Sequence, residues 1–337
     1  MRYSLTLLRT ALRLPRKGAQ IRLLRDLNAW LRVEFLGAAS HLGIAKALAT
    51  PLTTEEITQQ LGYRDTDLLN SFLELGASLR QLRRRGARWE LRGSRLRALP
   101  DADLDGMAGM LEEVVTYEAD VYRRLGDRLR GEPPGDYLAE SAATIARASR
   151  LAEVVLLPLV DDLVRRFHPA SVLDVGCGTG IYLRAILEAS AGVTAAGVDV
   201  EPEVIEVARG NLDRWGIGDR ATISVADIRE LPPELERSWN LILLFQNIYY
   251  FPPGDRPDLL SRLRNLAPDG TVAVATAVAG ANDALAAHLD VVLRSTKGSF
   301  PLPTSGEMRA ALAAAGFNDV EERRLAPRQP LRAFIAR

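Results

Sequence analysis

An α/β chain, with a parallel sheet in its second half and a mainly helical domain ahead of it, is what this sequence predicts. Three observations carry the prediction. Near Ser171 the hydrophobic period changes from helical spacing to short apolar runs that alternate with amphipathic helices. A glycine-rich turn, Gly176-Cys177-Gly178-Thr179-Gly180, joins the first of those runs to a helix. Charge also divides along the chain: residues 1–98 hold 18 Lys/Arg against 8 Asp/Glu, leaving 25 against 35 in the remainder of a neutral whole.

In chain order, residues 1–20 read as a basic, irregular arm containing Pro15 and Gly18, a partner-packing or frayed terminus rather than a membrane-surface segment. Residues 21–100 form a domain of their own. Leu27, Trp30, Leu31, Phe35 and Leu36 recur at helical spacing, and Leu42-Gly43-Ile44 stops that helix. Thr53 and Glu56 have the spacing of a capping box, opening a short helix that ends at Gly62. A longer helix follows, with Leu68, Leu69, Phe72, Leu73, Leu79 and Leu82 as its buried stripe. Gly86 then turns the chain into extended pieces around Trp89–Leu91 and Arg95–Arg97. Helix, helix, helix, hairpin is a winged-helix order. Residues 101–167 read as a helical connector broken at 131–135, and residues 168–337 as the α/β domain. Its strands are expected at Val172–Val175, Thr194–Val200, Thr222–Val225, Leu241–Phe245, Thr271–Ala277, Val320–Arg324 and Leu331–Ala336, the last two pairing as a hairpin.

Composition narrows the function. Hydrophobic residues at 47% and charged residues at 26% exclude a largely disordered chain. One cysteine, Cys177, and three scattered histidines exclude a disulfide framework and leave no set of ligands for a metal, so none is expected. Met1–Gln20 is broken by Arg9, Arg13, Arg16 and Lys17, and the longest uncharged run, Ser238–Gly254, is too short and polar to span a bilayer. The expectation is a cytoplasmic protein with no membrane span.

The glycine turn carries the chemistry. A dinucleotide loop would need glycine at position 181, where this chain has Ile181, and no Lys-Ser/Thr pair follows as a phosphate-binding loop requires. Asp174, just ahead of the glycines, is poor company for a pyrophosphate and suits a cationic amino-acid moiety. Asp199 ends the second strand 19 residues after Gly180, where a carboxylate can accept both ribose hydroxyl hydrogen bonds, and Asp227 ends the third. Three acids at the carboxyl ends of strands lie where open α/β sheets bind ligands.

The string Val172–Gly180 resembles motif I of class I S-adenosylmethionine-dependent methyltransferases. The likeness continues through Gly197-Val198-Asp199, Ala226-Asp227-Ile228, Asn265–Gly270 and Leu312–Phe317. Residues 21–100 resemble, more loosely, the winged-helix dimerisation domain of small-molecule O-methyltransferases. The resemblance implies a seven-stranded Rossmann-like methyltransferase sheet with its last strand antiparallel, S-adenosylmethionine as cofactor, and a homodimer formed through the N-terminal domain. It implies methyl transfer to a small molecule of specialised or natural-product metabolism, most often to a hydroxyl oxygen, with nitrogen or carbon as alternatives. Cofactor contacts then fall on Asp174, Gly176, Gly178, Gly180, Asp199, Val200, Asp227 and Ile228, and acceptor contacts on Gln246, Asn247, Tyr250 and Asp290. In that family a His-Asp pair follows the fourth strand; here the pair is Gln246-Asn247, and amides do not titrate. His288, on the helix after the fifth strand, is the remaining candidate base.

A second reading comes from Arg80, Arg83, Arg84, Arg85, Arg88, Arg92, Arg95 and Arg97, which crowd the hairpin: a nucleic-acid-binding winged helix or a nucleic-acid methyltransferase. Against it, the long helix is strongly apolar, which suits core or dimer packing better than phosphate contact.

Overall fold

In the computed structural model, which describes residues 16–280, 283–327 and 329–337, the first helix, α1 (Lys17–His41), begins inside the stretch read as an irregular arm. Residues 1–15 of that arm lie outside the described residues. Contacts divide the chain into one unit of residues 1–120 with 143–150 and a second of 121–142 with 151–337, so the expected connector is apportioned between the two.

In the first unit, Gly43 adopts positive φ after α1 and opens α2 (Ile44–Ala47). The capping box forms as expected beyond β1 (Leu52–Thr53). Thr53 Oγ1 accepts from Glu56 N at 3.2 Å, and the Glu56 carboxylate accepts from Thr53 N at 2.8 Å, starting α3 (Thr54–Leu61). Helix α4 (Thr66–Ser78) buries Leu69, Leu73 and Gly76, an i, i+4, i+7 stripe, while Leu68 is 66% exposed and Leu82 belongs to the next strand. The hairpin lies one element earlier than the sequence suggested. Strands β2 (Leu82–Arg85) and β3 (Arg88–Leu91) flank the two-residue turn Gly86-Ala87, and β1 completes the sheet in the order β1-β3-β2. Arg95–Arg97 is instead helical, in α5 (Ser94–Ala98), because Leu96 and Leu99, three residues apart, both enter the core. Four of the hairpin arginines pair within this unit: Arg83 and Arg85 with Glu90, Arg84 with Glu74, and Arg88 with Glu56.

Helices then run from α6 (Asp105–Val115) through α7 (Tyr117–Arg123), α8 (Leu125–Leu129), α9 (Tyr137–Glu140) and α10 (Ala142–Ser149) to α11 (Glu153–Phe167), broken at 130–136 where Gly131 takes φ +102°. The second unit's sheet follows: β4 (Ser171–Val175), α12 (Ile181–Ala189), β5 (Thr194–Asp199), α13 (Pro202–Trp215), β6 (Ala221–Val225), β7 (Leu241–Phe245), α14 (Arg256–Leu266), β8 (Thr271–Ala277), α15 (Ala284–Arg294), α16 (Ser305–Ala314), β9 (Val320–Arg324) and β10 (Leu331–Ala336). Its order is β6-β5-β4-β7-β8-β10-β9, parallel through β8, with β10 antiparallel to both neighbours. Alternate residues of each central strand feed different cores. Leu241, Leu243 and Phe245 of β7 pack with α11–α13, while Ile242 and Leu244 join Leu260 and Leu263 on the opposite face. Covered on both faces, such strands read as unbroken apolar runs, and each buried leucine contributes roughly 1.5–3 kcal/mol. Chain connections depart to opposite sides of β4, making its carboxyl end the topological switch point.

A β-carbon added at Gly76 would lie 2.3 Å from Phe35 Cζ and 2.9 Å from Leu82 Cδ1. Gly76→Ala is therefore expected to destabilise the first unit by about 1–3 kcal/mol through overpacking, read as a lower denaturation midpoint.

Candidate active site

Strand β4 ends in a loop shaped by its glycines. Gly176, Gly178 and Gly180 all take positive φ (+69°, +53° and +82°), and Gly180 leads directly into α12. The N–H groups of Gly176 and Cys177 both donate to Val198 O, at 2.8 and 3.0 Å, tying the loop to β5. The glycines differ in purpose. A side chain at 176 would lie 2.2 Å from Asn247 Nδ2, whereas one at 178 would meet no atom within 4 Å. One glycine admits close packing; the other leaves a face of the loop open to a ligand.

Two carboxylates meet at this loop. Asp174 is 1% exposed, and its Oδ2 accepts no hydrogen bond from any described residue. Burial, and after it the like charge of Asp199, push its pKa up to about 7. Asp199, half-buried at the end of β5, accepts from Gly178 N through Oδ2 and from Glu201 N through Oδ1, each at 3.1 Å. Beside it Val200 is 57% exposed, an apolar surface at a strand end, while Ile228 is buried. Asp227 follows β6 and is gripped by Arg229, whose Nε lies 2.9 and 3.0 Å from its two oxygens; that guanidinium holds the carboxyl below its usual range.

The expected acceptor-side residues separate into two groups. Gln246, immediately after β7, has φ +58° and a buried Oε1 without a partner among the described residues. Tyr250 is partly exposed, edge-on to Tyr249. Asn247 turns back, its Nδ2 donating to Val175 O at 2.8 Å. Asp290 accepts from Arg294 Nε at 2.7 Å and from Leu302 N at 2.9 Å, bracing α15 against the segment that follows it. His288 Nδ1 lies 2.7 Å from Tyr122 Oη, with the rings nearly parallel, 5.7 Å between centroids. That partnership has no sequence signal, because 166 residues separate the two. Among the described residues no group of His, Cys, Asp or Glu could hold a metal ion.

A ligand suited to this end of the sheet must bring positive charge to Asp174, hydroxyls to Asp199 and a flat apolar part to Val200. S-adenosylmethionine, whose amino-acid tail, ribose and adenine have those properties, fits the residues present. Residues 172–270 match the family described as Methyltransferase domain. The fold across the chain is shared with solved methyltransferase structures. A probable cobalt-precorrin-6B C(15)-methyltransferase from Pyrobaculum aerophilum is 33% identical over 118 residues, covering 34% of this chain and 56% of the relative. The chain thus spans little more than half the length of that curated relative. The solved structure of mitomycin 7-O-methyltransferase MmcR superposes with TM-score 0.81 at 18% identity, over 96% of this chain and 98% of that one. N,N-8-amino-8-demethyl-D-riboflavin dimethyltransferase from Streptomyces davawensis superposes with TM-score 0.70 at 22% identity, over 94% and 98%. Those three names print a carbon, an oxygen and a nitrogen acceptor.

The raised pKa of Asp174 has a definite sign. The folded protein keeps this proton up to about pH 7, whereas an unfolded aspartate loses it near its ordinary value of 3.8. The ligand-free protein is therefore expected to lose stability as pH rises from about 4 to about 7, and Asp174→Asn to flatten that slope. Denaturation midpoints across the window check both.

Proposed function

We propose that this protein transfers a methyl group from S-adenosylmethionine to a small organic acceptor of specialised metabolism. The observation that carries this reading is the buried carboxylate of Asp174, whose Oδ2 has no partner among the described residues, beside Asp199 at the switch point, an arrangement that calls for a cation. Asp174 takes the cationic tail of the cofactor, the open side of Gly178 admits its backbone-contacting part, and Asp199 accepts from the ribose hydroxyls. Val200 and Ile228 border the adenine, and Asp227 retains lone pairs beyond those engaged by Arg229 for the adenine amino group. When bound, the cofactor supplies an electrophilic methyl on a sulfonium, so the protein's task is alignment. Gln246, Tyr250 and His288 are assigned to the acceptor side, whereas Asn247 and Asp290 shape the backbone around it.

The first unit supports a homodimer. Its three helices and terminal hairpin are read as a winged helix, and Ile21, Leu23, Leu24, Leu27 and Trp30 leave one side of α1 apolar and about half or more exposed. The internal pairing of the hairpin arginines favours this reading over a nucleic-acid surface. Among the described residues no helix is long and apolar enough to cross a membrane.

Calorimetry with S-adenosylhomocysteine is expected to show stoichiometric binding, weakened at least tenfold in Asp199→Ala; no heat with the native protein would remove the reading. Light scattering is expected to give a dimer, and Leu24→Glu with Leu27→Glu a monomer that still binds the cofactor.

A further inference from the structure

Gln246 is held with unusual firmness for a surface amide at a strand end. Its backbone has the left-handed conformation that a residue with a β-carbon adopts only at an energetic cost, and its N–H donates to Ala275 O at 2.7 Å. The next residue, Asn247, is locked onto Val175 O, so position 246 stands against the end of β4 where the cofactor loop begins. In that setting Oε1 is buried and accepts nothing from the described residues. A buried acceptor without a donor is destabilising, so the site is complete only when a ligand brings a hydrogen to it. Asp174 Oδ2 is another such atom at this end of the sheet, and it calls for a cation; the amide of Gln246 calls for a neutral donor.

The chemistry of an amide selects that donor. A carboxamide oxygen accepts a hydrogen bond but does not remove the proton. A hydroxyl donating to it stays protonated and remains a poor nucleophile. An uncharged primary or secondary amine donates one N–H while its lone pair stays free to react. We propose that Gln246 recognises and orients an N–H-bearing amine, so that the acceptor atom of this enzyme is nitrogen. The inference rests on the methyl-transfer reading above and specifies its substrate class. The nitrogen lone pair forms the new C–N bond, the S–CH3 bond breaks with its electrons left on sulfur, and the resulting ammonium gives its proton to water.

Isosteric pairs test this: 8-aminoquinoline against 8-hydroxyquinoline, and 1-naphthylamine against 1-naphthol. Each is offered to the native protein with S-adenosylmethionine, with the methylated atom identified by mass spectrometry. Binding of each to protein saturated with S-adenosylhomocysteine is measured separately by calorimetry. At least one amine is expected to be N-methylated at least tenfold faster than its hydroxyl partner, and to bind more tightly. Gln246→Ala is expected to lower kcat/KM for the amine at least tenfold and to remove that binding preference. Gln246→Asn, which tolerates the left-handed backbone but withdraws the amide by one methylene, is expected to fall between; unchanged S-adenosylhomocysteine affinity shows that each variant is folded. Equal or faster methylation of the hydroxyl partners overturns the proposal, as does a panel in which no amine is methylated or preferentially bound. Amine turnover insensitive to Gln246→Ala but reduced a hundredfold in His288→Asn also overturns it. Failure of the native protein to bind S-adenosylhomocysteine is a separate result and removes the methyltransferase reading itself.

Discussion

A carboxylate buried in the middle of an apolar strand organises the second unit. Strand β4 lies at the centre of the sheet with all five residues buried, so each must suit a dry environment on one face or the other. Four do. Asp174 does not, and Asp199 adds like charge instead of relief. The backbone N–H groups of the loop that follows do not satisfy Asp174 Oδ2. They are directed elsewhere: Gly176 and Cys177 donate to Val198 O, and Gly178 donates to Asp199. Asp174 Oδ2 is thus left without a donor among the described residues. The three positive-φ glycines follow from the turn, since the chain must turn within five residues, pack against Asn247 and still leave one side open.

Buried acids elsewhere in the chain show that this arrangement is particular to the site. In the first unit Glu112 is buried, yet it is paired with Arg147 at 2.7 Å and accepts from Ser40 Oγ at 2.9 Å. Arg147 also grips Asp105, whose carboxyl it holds below the usual range. Glu321, between Arg323 and Arg166, is lowered to about 2. Glu113 resembles Asp174 in being pushed up, to about 8, by burial and the charge of Glu118, but the Tyr117 hydroxyl donates to it at 3.2 Å. Where a carboxylate serves only the fold, a guanidinium or a hydroxyl answers it.

Much of the fold was legible because its signals are local. Strands covered on both faces read as mainly apolar runs, which is why β7, β8 and β10 fall where the sequence placed them and β4 differs only at its end; the edge strand β9, Val-Glu-Glu-Arg-Arg, was placed without such a run. The hairpin was misplaced for the complementary reason. Strand β2 reads Leu-Arg-Arg-Arg; it is exposed beyond Leu82, and its arginines are stabilised by acids from other elements, so nothing in its own pattern says strand. Leu68 looked like core because periodicity gives a stripe without its edges, and packing turned it outward. The places of Asp174, Asp199 and Asp227 toward the carboxyl ends of β4, β5 and β6 were legible from strand pattern alone. The inward turn of Asn247, the bracing by Asp290 and the meeting of Tyr122 with His288 depend on loop closure and on contacts between distant segments, which no local pattern encodes.

The two ends of the site differ in how strictly the fold specifies them. In the proposed reading the cofactor half is built from backbone and strand-end carboxylates, so its geometry follows from sheet topology. In the same reading the acceptor half is built from side chains that follow β7 and lie on α15, where one substitution changes the chemistry without disturbing a strand. A residue after β7 that titrates would let a protonated oxygen serve as nucleophile, because the proton has somewhere to go. An amide there removes that route but keeps a directional acceptor, and a nucleophile must then bring both a lone pair and a hydrogen. The strained backbone of Gln246 sharpens the point. Asparagine adopts positive φ more readily and glycine does so freely, yet this chain places a longer amide there, which extends the carbonyl farther from the backbone.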